Sequence, residues 1–435
     1  MAIRLKMKLV ALLLLTIVSV SECAKILGIF MTPAYSHQSV YRSLMKELAE
    51  KGHELTYLTP FPGLCDHSNI TEISMASTQE TYKSLLNVVQ NKENKATPKD
   101  TYNLVMKMAF AICDEQLNIP EVKKLINEGS KGDFDVIIME QFSYAPMLGF
   151  AGIFDVPVVG ISSMDTTKVT YEMFGAPSNP VLHPDPLFYS YPTCRLSFIQ
   201  RVQALLEHIC FKMFYQSGND EKMTELLRKH FPKVSATQKQ LEDRIALMMV
   251  NTNLMHSVRP MPPNIIQLGF LHIDPPKPLP DGEVKRFLDS SVNGVIYMTF
   301  GTSVRTSDFS PTFKKTFINA FAKLKMCVLW KFDRENVTGM PENVMISKWM
   351  PQADVLAHPN VKLMIFHGGQ QTMEEGIDRS VPMVVIPFIE EQIGNARSIV
   401  EKKIGTSLNF HELDETELLR AIQETLMSFK NKKMQ

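Results

Sequence analysis

The sequence predicts an α/β protein made of two doubly wound, Rossmann-like domains that face a cleft. Three observations carry this expectation. Short apolar runs alternate with helical periodicity in both halves of the 435-residue chain. A proline-rich stretch at residues 274–280 interrupts the alternation and reads as a linker. In the second half, the apolar run 361–366 leads straight into His367, Gly368 and Gly369 and then into a helical pattern at 370–378. Strand, glycines and helix start together form an arrangement suited to phosphate, because glycine admits close backbone approach and free N–H groups face the anion.

The first half opens with a βαβ pattern. Residues 25–31 form an apolar run, Val40, Leu44 and Leu48 share one face of a helix over 38–50, and Gly52 ends that helix before a second strand at 53–59. Runs at 134–139 and 156–161 repeat the buried-strand pattern, and those at 245–250 and 265–270 close this half. Between the second and third of these strands lies a long insert that reads as mostly helical, with a polar tract at 91–95. The second half carries strands at 294–300, 325–331, 361–366 and 382–387, and a helix at 419–429 precedes a basic tail. The boundaries are therefore residues 1–23 for a leader, 24–273 for the first domain, 274–282 for the linker and 283–435 for the second domain. A stretch at 198–215 places Val202, Leu205, Leu206 and Ile209 at helical spacing. Such a stripe packs on a core more often than it lies on a membrane surface, and core packing is the expectation here.

Composition removes several function classes. Hydrophobic residues make up 45% of the chain and charged residues 21%, as in an ordinary globular protein. Lys+Arg and Asp+Glu both number 46, so nothing in the balance recruits a nucleic acid. No H-E-x-x-H or C-x-x-C motif points to a metal, no G-x-G-x-x-G points to a dinucleotide, and residues 160–164 do not form a G-x-S-x-G elbow.

The leader has basic Arg4, Lys6 and Lys8, an apolar core at 9–20, and small residues Ser21 and Cys23 before Ala24. This is the pattern of a cleavable signal peptide, since the apolar core is too short to span a bilayer comfortably. It implies an oxidising lumen. Cleavage removes Cys23 and leaves Cys65, Cys113, Cys194, Cys210 and Cys327, an odd and widely spaced set that reads as mostly buried thiols. Sequons begin at Asn69 and Asn336.

The densest pattern lies between Trp349 and Gln392. Trp349-Met-Pro-Gln352, Leu356-Ala-His358-Pro-Asn360, Phe366-His-Gly-Gly369, Thr372, Glu375, Val381-Pro382, Pro387-Phe388 and Glu391-Gln392 resemble, in order and spacing, the signature of the UDP-glycosyltransferase family. The resemblance runs along the whole chain, including Asn251-Thr-Asn253, and is nearest to insect members related to the UDP-glucuronosyltransferases. It implies the GT-B fold, an acceptor-binding first domain and a UDP-sugar-binding second domain. It also implies a co-substrate, the UDP-sugar, with no separate cofactor and no metal. Position by position, Trp349 would stack on uracil, and Gln352 would bond the base and ribose region. His367, Gly368 and Gly369 would hold the diphosphate, with Thr302 and Thr372 beside them, and Glu375 would accept from the ribose hydroxyls. Glu391 and Gln392 would contact the sugar. Phe366, Gln370, Gln371 and Glu391 depart from the usual family residues, and the longer Glu391 in place of Asp bears on which sugar fits.

An acceptor hydroxyl is a poor nucleophile at neutral pH and needs a general base. His37 follows the first strand, at the carboxyl end of the sheet, and matches the family's catalytic histidine. Glu140, at the end of the 134–139 strand, stands where the family has an acid that orients this histidine. The expected activity is inverting transfer of a hexose, glucose or glucuronic acid, from a UDP-sugar to a hydroxyl of a small lipophilic acceptor, as in detoxification. The alternative is a catalytically impaired UDP-sugar binder or partner subunit. The mature sequence holds no run of about 18 apolar residues, so no transmembrane anchor is expected. Family members continue with further helices and an anchor, so the chain reads as C-terminally truncated, lodged in the endoplasmic reticulum lumen.

Overall fold

The structure, a computed structural model, describes residues 23–90, 98–141, 145–177, 179–183, 185, 196–210, 217–252, 259–302, 304, 306–334 and 339–432. The leader, the polar tract at 91–95, the Asn336 sequon and Cys194 lie outside the described residues. Two parallel sheets organise the chain. The first holds β1 (Lys25–Ile29), β2 (Glu54–Thr59), β3 (Ile70–Ser74), β4 (Val136–Glu140), β5 (Val158–Ser162), β6 (Ile245–Val250) and β7 (Ile265–Gln267), in the order β3-β2-β1-β4-β5-β6-β7. The second holds β8 (Val295–Thr299), β9 (Cys327–Lys331), β10 (Val344–Ser347), β11 (Val361–Phe366), β12 (Met383–Val385) and β13 (Gly405–Ser407), in the order β10-β9-β8-β11-β12-β13.

Both sheets turn back on themselves at their first strand, the doubly wound plan in which ligands sit beyond the carboxyl ends of the strands at the switch point. The switch points are β1/β4, where Ile29 pairs with Met139, and β8/β11, where Thr299 pairs with Phe366.

Burial on both faces explains why these strands read as unbroken apolar runs. In β1, Leu27 and Ile29 enter one core while Ile26 and the adjoining Phe30 enter the core on the opposite face. In β8, Ile296 and Met298 pack on one side and Val295 and Tyr297 on the other. The helices include α1 (Tyr35–Glu50), α2 (Phe198–Cys210), α3 (Gln352–Leu356), α4 (Gln370–Asp378) and α5 (Glu390–Glu401), of which α1, α3, α4 and α5 carry candidate site residues. In α1, Val40, Tyr41, Met45 and Ala49 are buried against the first sheet, and Gly52, at φ 95°, turns the chain into β2. A left-handed φ is open to glycine at little cost.

The insert after β2 is mostly helical, as expected, and begins with one short strand, β3, at the edge of the sheet. β3 is Ile-Thr-Glu-Ile-Ser and none of its residues is buried, so it lacks the apolar run by which the other strands declare themselves. The helix read over 38–50 begins at Tyr35, which puts His37 in its first turn rather than in a loop. The α2 stripe does not pack on a core. Phe198 is 81% exposed, Ile199 69% and Leu206 56%, and among the buried residues of this helix only Ala204 is found. Periodicity reports that a helix has an apolar face but not what covers it. Of the cysteines, Cys65 and Cys113 are buried, whereas Cys210 is exposed and Cys327 half-buried.

Candidate functional site

At the β1/β4 switch point, Glu140 ends β4 and is fully buried. Its Oε2 accepts the backbone N–H groups of Met31 and Thr32, each at 2.8 Å, and its Oε1 accepts Thr32 Oγ1 at 2.6 Å. Burial raises the carboxyl, but the pull of His37 and of the Thr32 donors outweighs it, and the group sits below the usual carboxylate range. His37 Nδ1 lies 3.6 Å from Glu140 Oε1, an ion-pair distance, and 2.8 Å from Ser163 Oγ. Ser163 follows β5 and its N–H donates to Tyr41 Oη at 3.2 Å. Burial, with the Glu140 charge second, holds the Tyr41 phenol well above its ordinary value, so it stays neutral. Gln38, also buried, donates to the carbonyls of Thr32 and Phe30 and braces the turn between β1 and α1.

At the β8/β11 switch point, His367 follows β11 with its ring set between two glycines. A Cβ on Gly301 would lie 2.8 Å from the ring, and one on Gly369 2.5 Å. Gly301 also has φ 76°, so the site requires glycine there on two grounds. Burial, helped by the charge of Lys331, pulls the imidazole down to about 4, which keeps it neutral near pH 7. Asn395 of α5 donates to the Gly368 carbonyl at 2.8 Å and to Glu391 Oε1 at 2.5 Å, tying α5 to the glycine loop. Glu391 is pushed up to about 7 by burial, against the pull of Asn395 and the Gln370 N–H. Gln392 Oε1 accepts the Phe388 N–H at 2.9 Å.

The other donor-side residues form a chain of contacts. Tyr297 Oη donates to Gln352 Oε1 at 2.9 Å, and Gln352 Nε2 donates to Thr372 Oγ1 at 3.1 Å and to the Glu375 carboxylate. Burial pushes Glu375 up to about 7, opposed by the Gln352 bond and by the charges of Lys331 and Arg379. Trp349, just after β10, is 55% exposed, whereas the chain's other tryptophan, Trp330, is fully buried in the core. Lys331 Nζ stands 4.6 Å from the centre of the Trp349 ring. Thr302 is exposed at the mouth of the Gly301 turn.

The two switch points meet. Tyr35, two residues before His37, sets its ring against the edge of Trp349 with centroids 4.9 Å apart. Below them α4 reaches across the cleft: Gln371 Nε2 donates to the Ser163 carbonyl at 2.9 Å, and Gln370 Oε1 accepts the Asp165 N–H at 3.2 Å. Among the described residues no group of three or more His, Cys, Asp or Glu has the geometry of a metal site.

The profile of the family described as UDPGT, UDP-glucoronosyl and UDP-glucosyl transferase, matches residues 24–435. The chain belongs to this family. It is 30% identical over 417 residues to UDP-glucosyltransferase 2 of Dactylopius coccus, covering 95% of this chain and 79% of that protein. It is 31% identical over 436 residues to the ecdysteroid UDP-glucosyltransferase of Mamestra brassicae nuclear polyhedrosis virus, covering 97% of this chain and 81% of that one. Among solved structures, the glycotransferase of kitacinnamycin superposes with a TM-score of 0.59 at 17% identity, covering 93% of this chain and 90% of that one. The calicheamicin glycosyltransferase CalG4 gives 0.58 at 17% identity, with the same coverage. The fold is GT-B, and the protein is a UDP-glycosyltransferase that moves a sugar from a UDP-sugar.

In this UDP-glycosyltransferase the sequence reading named His37 and Glu140 in one cluster, and Gln352, His367, Thr372, Glu375 and Glu391 among others in the second, and missed several of their neighbours. Ser163, Tyr41 and Thr32 around His37 are ordinary residue types with no motif of their own, and only the fold collects them. The same holds for Tyr297 and Asn395. Lys331 carries a weak signal, a charge ending an otherwise apolar strand.

Proposed function

We propose that this UDP-glycosyltransferase transfers a hexose, glucose in preference to glucuronic acid, to the hydroxyl of a small lipophilic acceptor with inversion at the anomeric carbon. The observation that carries this reading is the single cleft in which Tyr35, from the helix that bears His37, meets Trp349. A base from one sheet and a uracil-stacking ring from the other then serve one substrate pair. Uracil stacks on Trp349, Gln352 and Glu375 hold the base and ribose region, and the His367-Gly368-Gly369 turn with Thr302 and Thr372 receives the diphosphate. Glu391 and Gln392 border the hexose. His37 Nε2 takes the acceptor proton, the freed oxygen attacks the anomeric carbon opposite the diphosphate, and the sugar–phosphate C–O bond breaks with its electron pair leaving on UDP. The ionised Glu140 stabilises the imidazolium that forms. The names of the glucosyltransferase relatives, several given for ecdysteroid, support glucose and a lipophilic hydroxyl. Product mass after incubation with mixed UDP-glucose and UDP-glucuronic acid over phenols and steroids tests the proposal. A mass gain of glucuronic acid alone, or of neither sugar, would overturn it.

The leader pattern and the Asn69 sequon just before β3 support a glycoprotein of the secretory pathway, lodged in the endoplasmic reticulum lumen, where conjugation of lipophilic hydroxyls would serve detoxification. Among the described residues no helix is long and apolar enough to cross a membrane. The exposed apolar face of α2 is suited to lie in a lipid surface instead. Carbonate extraction of microsomes checks this: the chain is expected to stay with the membranes and to be released when Phe198, Ile199 and Leu206 are changed to Ser. Release of the unaltered chain would remove the idea.

A further inference from the structure

Lys331 ends β9 at the carboxyl edge of the second sheet, inside the donor site. Among the described residues its ammonium touches two things. It stands 4.6 Å from the Trp349 ring centre and donates to the Gly301 carbonyl at 3.3 Å. No ion pair holds it among the described residues; Glu375 acts on it only through its charge. Burial pulls its pKa below the ordinary lysine value, with Glu375 opposing, so the environment does not repay the desolvation of this charge. A partly buried cation without a carboxylate partner is unusual unless an anion joins it when a ligand binds.

The place of the ammonium says which part of the donor that is. On the proposed reading of this site, Trp349 marks the uracil and the Gly301–His367 turn marks the phosphates. Lys331 lies between these two. His367 is held neutral, so it offers a hydrogen bond but no charge. A diphosphate gains further negative charge as the sugar leaves, and glycine N–H groups alone offset little of it.

We propose that Lys331 is the donor site's cation: its ammonium binds the diphosphate of the UDP-sugar and neutralises the charge that builds on departing UDP. The assignment rests on the donor-site reading above and adds a residue to it. The lysine contributes to binding in the ground state and more strongly as the C–O bond breaks, so both affinity and turnover depend on it. Its rest position over the indole keeps the charge partly solvated by a π face until the phosphates arrive.

The test is calorimetric titration of uridine, UDP, UDP-glucose and UDP-glucuronic acid into the unaltered protein, K331M and K331Q, with K331R for rescue. In both neutral variants UDP and both UDP-sugars should weaken by about 10–100-fold, the range of a charge-assisted hydrogen bond. Uridine should bind as before, which also reports that the variant is folded. K331R should recover most of the loss. Turnover with UDP-glucose should fall by more than the UDP affinity does. Equal weakening of uridine and UDP would mean that Lys331 only shapes the Trp349 face, and the proposal fails. Loss confined to UDP-glucuronic acid would place the ammonium on a sugar carboxylate and overturn it too. Undiminished UDP affinity in K331M and K331Q sinks the lysine's role while the donor site stands. Failure of the unaltered protein to bind UDP would sink the donor-site reading itself.

Discussion

Glu140, fully buried, and Glu375, half-buried, stand near the switch points of parallel sheets, and their carboxyls are driven in opposite directions. Glu140 accepts three hydrogen bonds at 2.6–2.8 Å, two of them from backbone N–H groups, and faces His37; it is held below the usual range. Glu375 has one side-chain donor, Gln352, and distant charges, and burial pushes it up to about 7. Burial alone raises a carboxyl, and the number and quality of donors decide whether the sign reverses. On the proposed reading the difference would match two tasks, a permanent negative charge beside the base in the acceptor half and, in the donor half, carboxyls that ionise when ribose or sugar hydroxyls arrive to bond them.

The largest expected effect breaks the acceptor half alone. His37→Ala should lower turnover by about 10²–10⁴-fold, the usual worth of a general base, while UDP affinity is unchanged. Glu140→Gln should show the same split with an equal or smaller loss, and the double variant should be little worse than the worse single one, because residues acting as a unit are not additive. Steady-state kinetics paired with UDP titration on the three variants check this. Parallel loss of turnover and UDP binding would mean that the two halves are not separable in the way described.

A smaller effect breaks the donor half alone. Trp349→Ala should weaken UDP by about 1–3 kcal/mol, the scale of one base-stacking contact. Calorimetry with uridine should show a similar loss, since the ring meets the base and not the phosphates. Uridine affinity left intact in this variant would take stacking out of the account.

The smallest effect sharpens the contrast between the carboxyls. If Glu375 accepts the ribose hydroxyls as a carboxylate, uridine affinity should rise as the pH passes up through about 7, the value to which burial brings this group. The sign follows from the raised value: below it the carboxyl is protonated and offers fewer acceptor sites, and above it the charged form is available. The change should be on the order of several-fold, less than the roughly 1.5–3 kcal/mol of a hydrogen bond to a charged group, because the protonated carboxyl keeps part of its acceptor capacity. Glu375→Gln should flatten the profile. Uridine is the ligand of choice because it carries no titrating phosphate. A flat profile in the unaltered protein would detach Glu375 from the ribose.

The two sheets were readable in the chain because strands buried on both faces need apolar residues at every position, as in Val361-Lys-Leu-Met-Ile-Phe366. β3 escaped because an edge strand has no such requirement. His37, Glu140 and His367 could be named because each stands directly after or at the end of a legible strand, or in the helix turn that follows, and because each falls on a position that the family resemblance marks. Ser163, Tyr35 and Lys331 could not, because their importance lies in contacts at separations of 126, 314 and 18 residues, to His37 in the first case and Trp349 in the other two. The environment of α2 was misread for a related reason: spacing reports a helix's shape and not its neighbours.

The seam between the halves bears on how such enzymes exchange parts. Gln370 of α4 spans the cleft, with its Oε1 on the Asp165 N–H and its Nε2 on the Asn251 carbonyl and on Glu374. Gln371 donates to the Ser163 carbonyl, and its own carbonyl lies 3.1 Å from His272 Nε2. Suppose a chimaera were assembled from this acceptor half and a donor half with small residues at those two positions. The buried Asp165 N–H and Asn251 carbonyl would lose their partners, at about 1–3 kcal/mol for each orphaned group. Modular shuffling of sugar specificity is therefore constrained at two side chains that bridge the halves, and a working graft must carry both glutamines or supply their hydrogen bonds by other means.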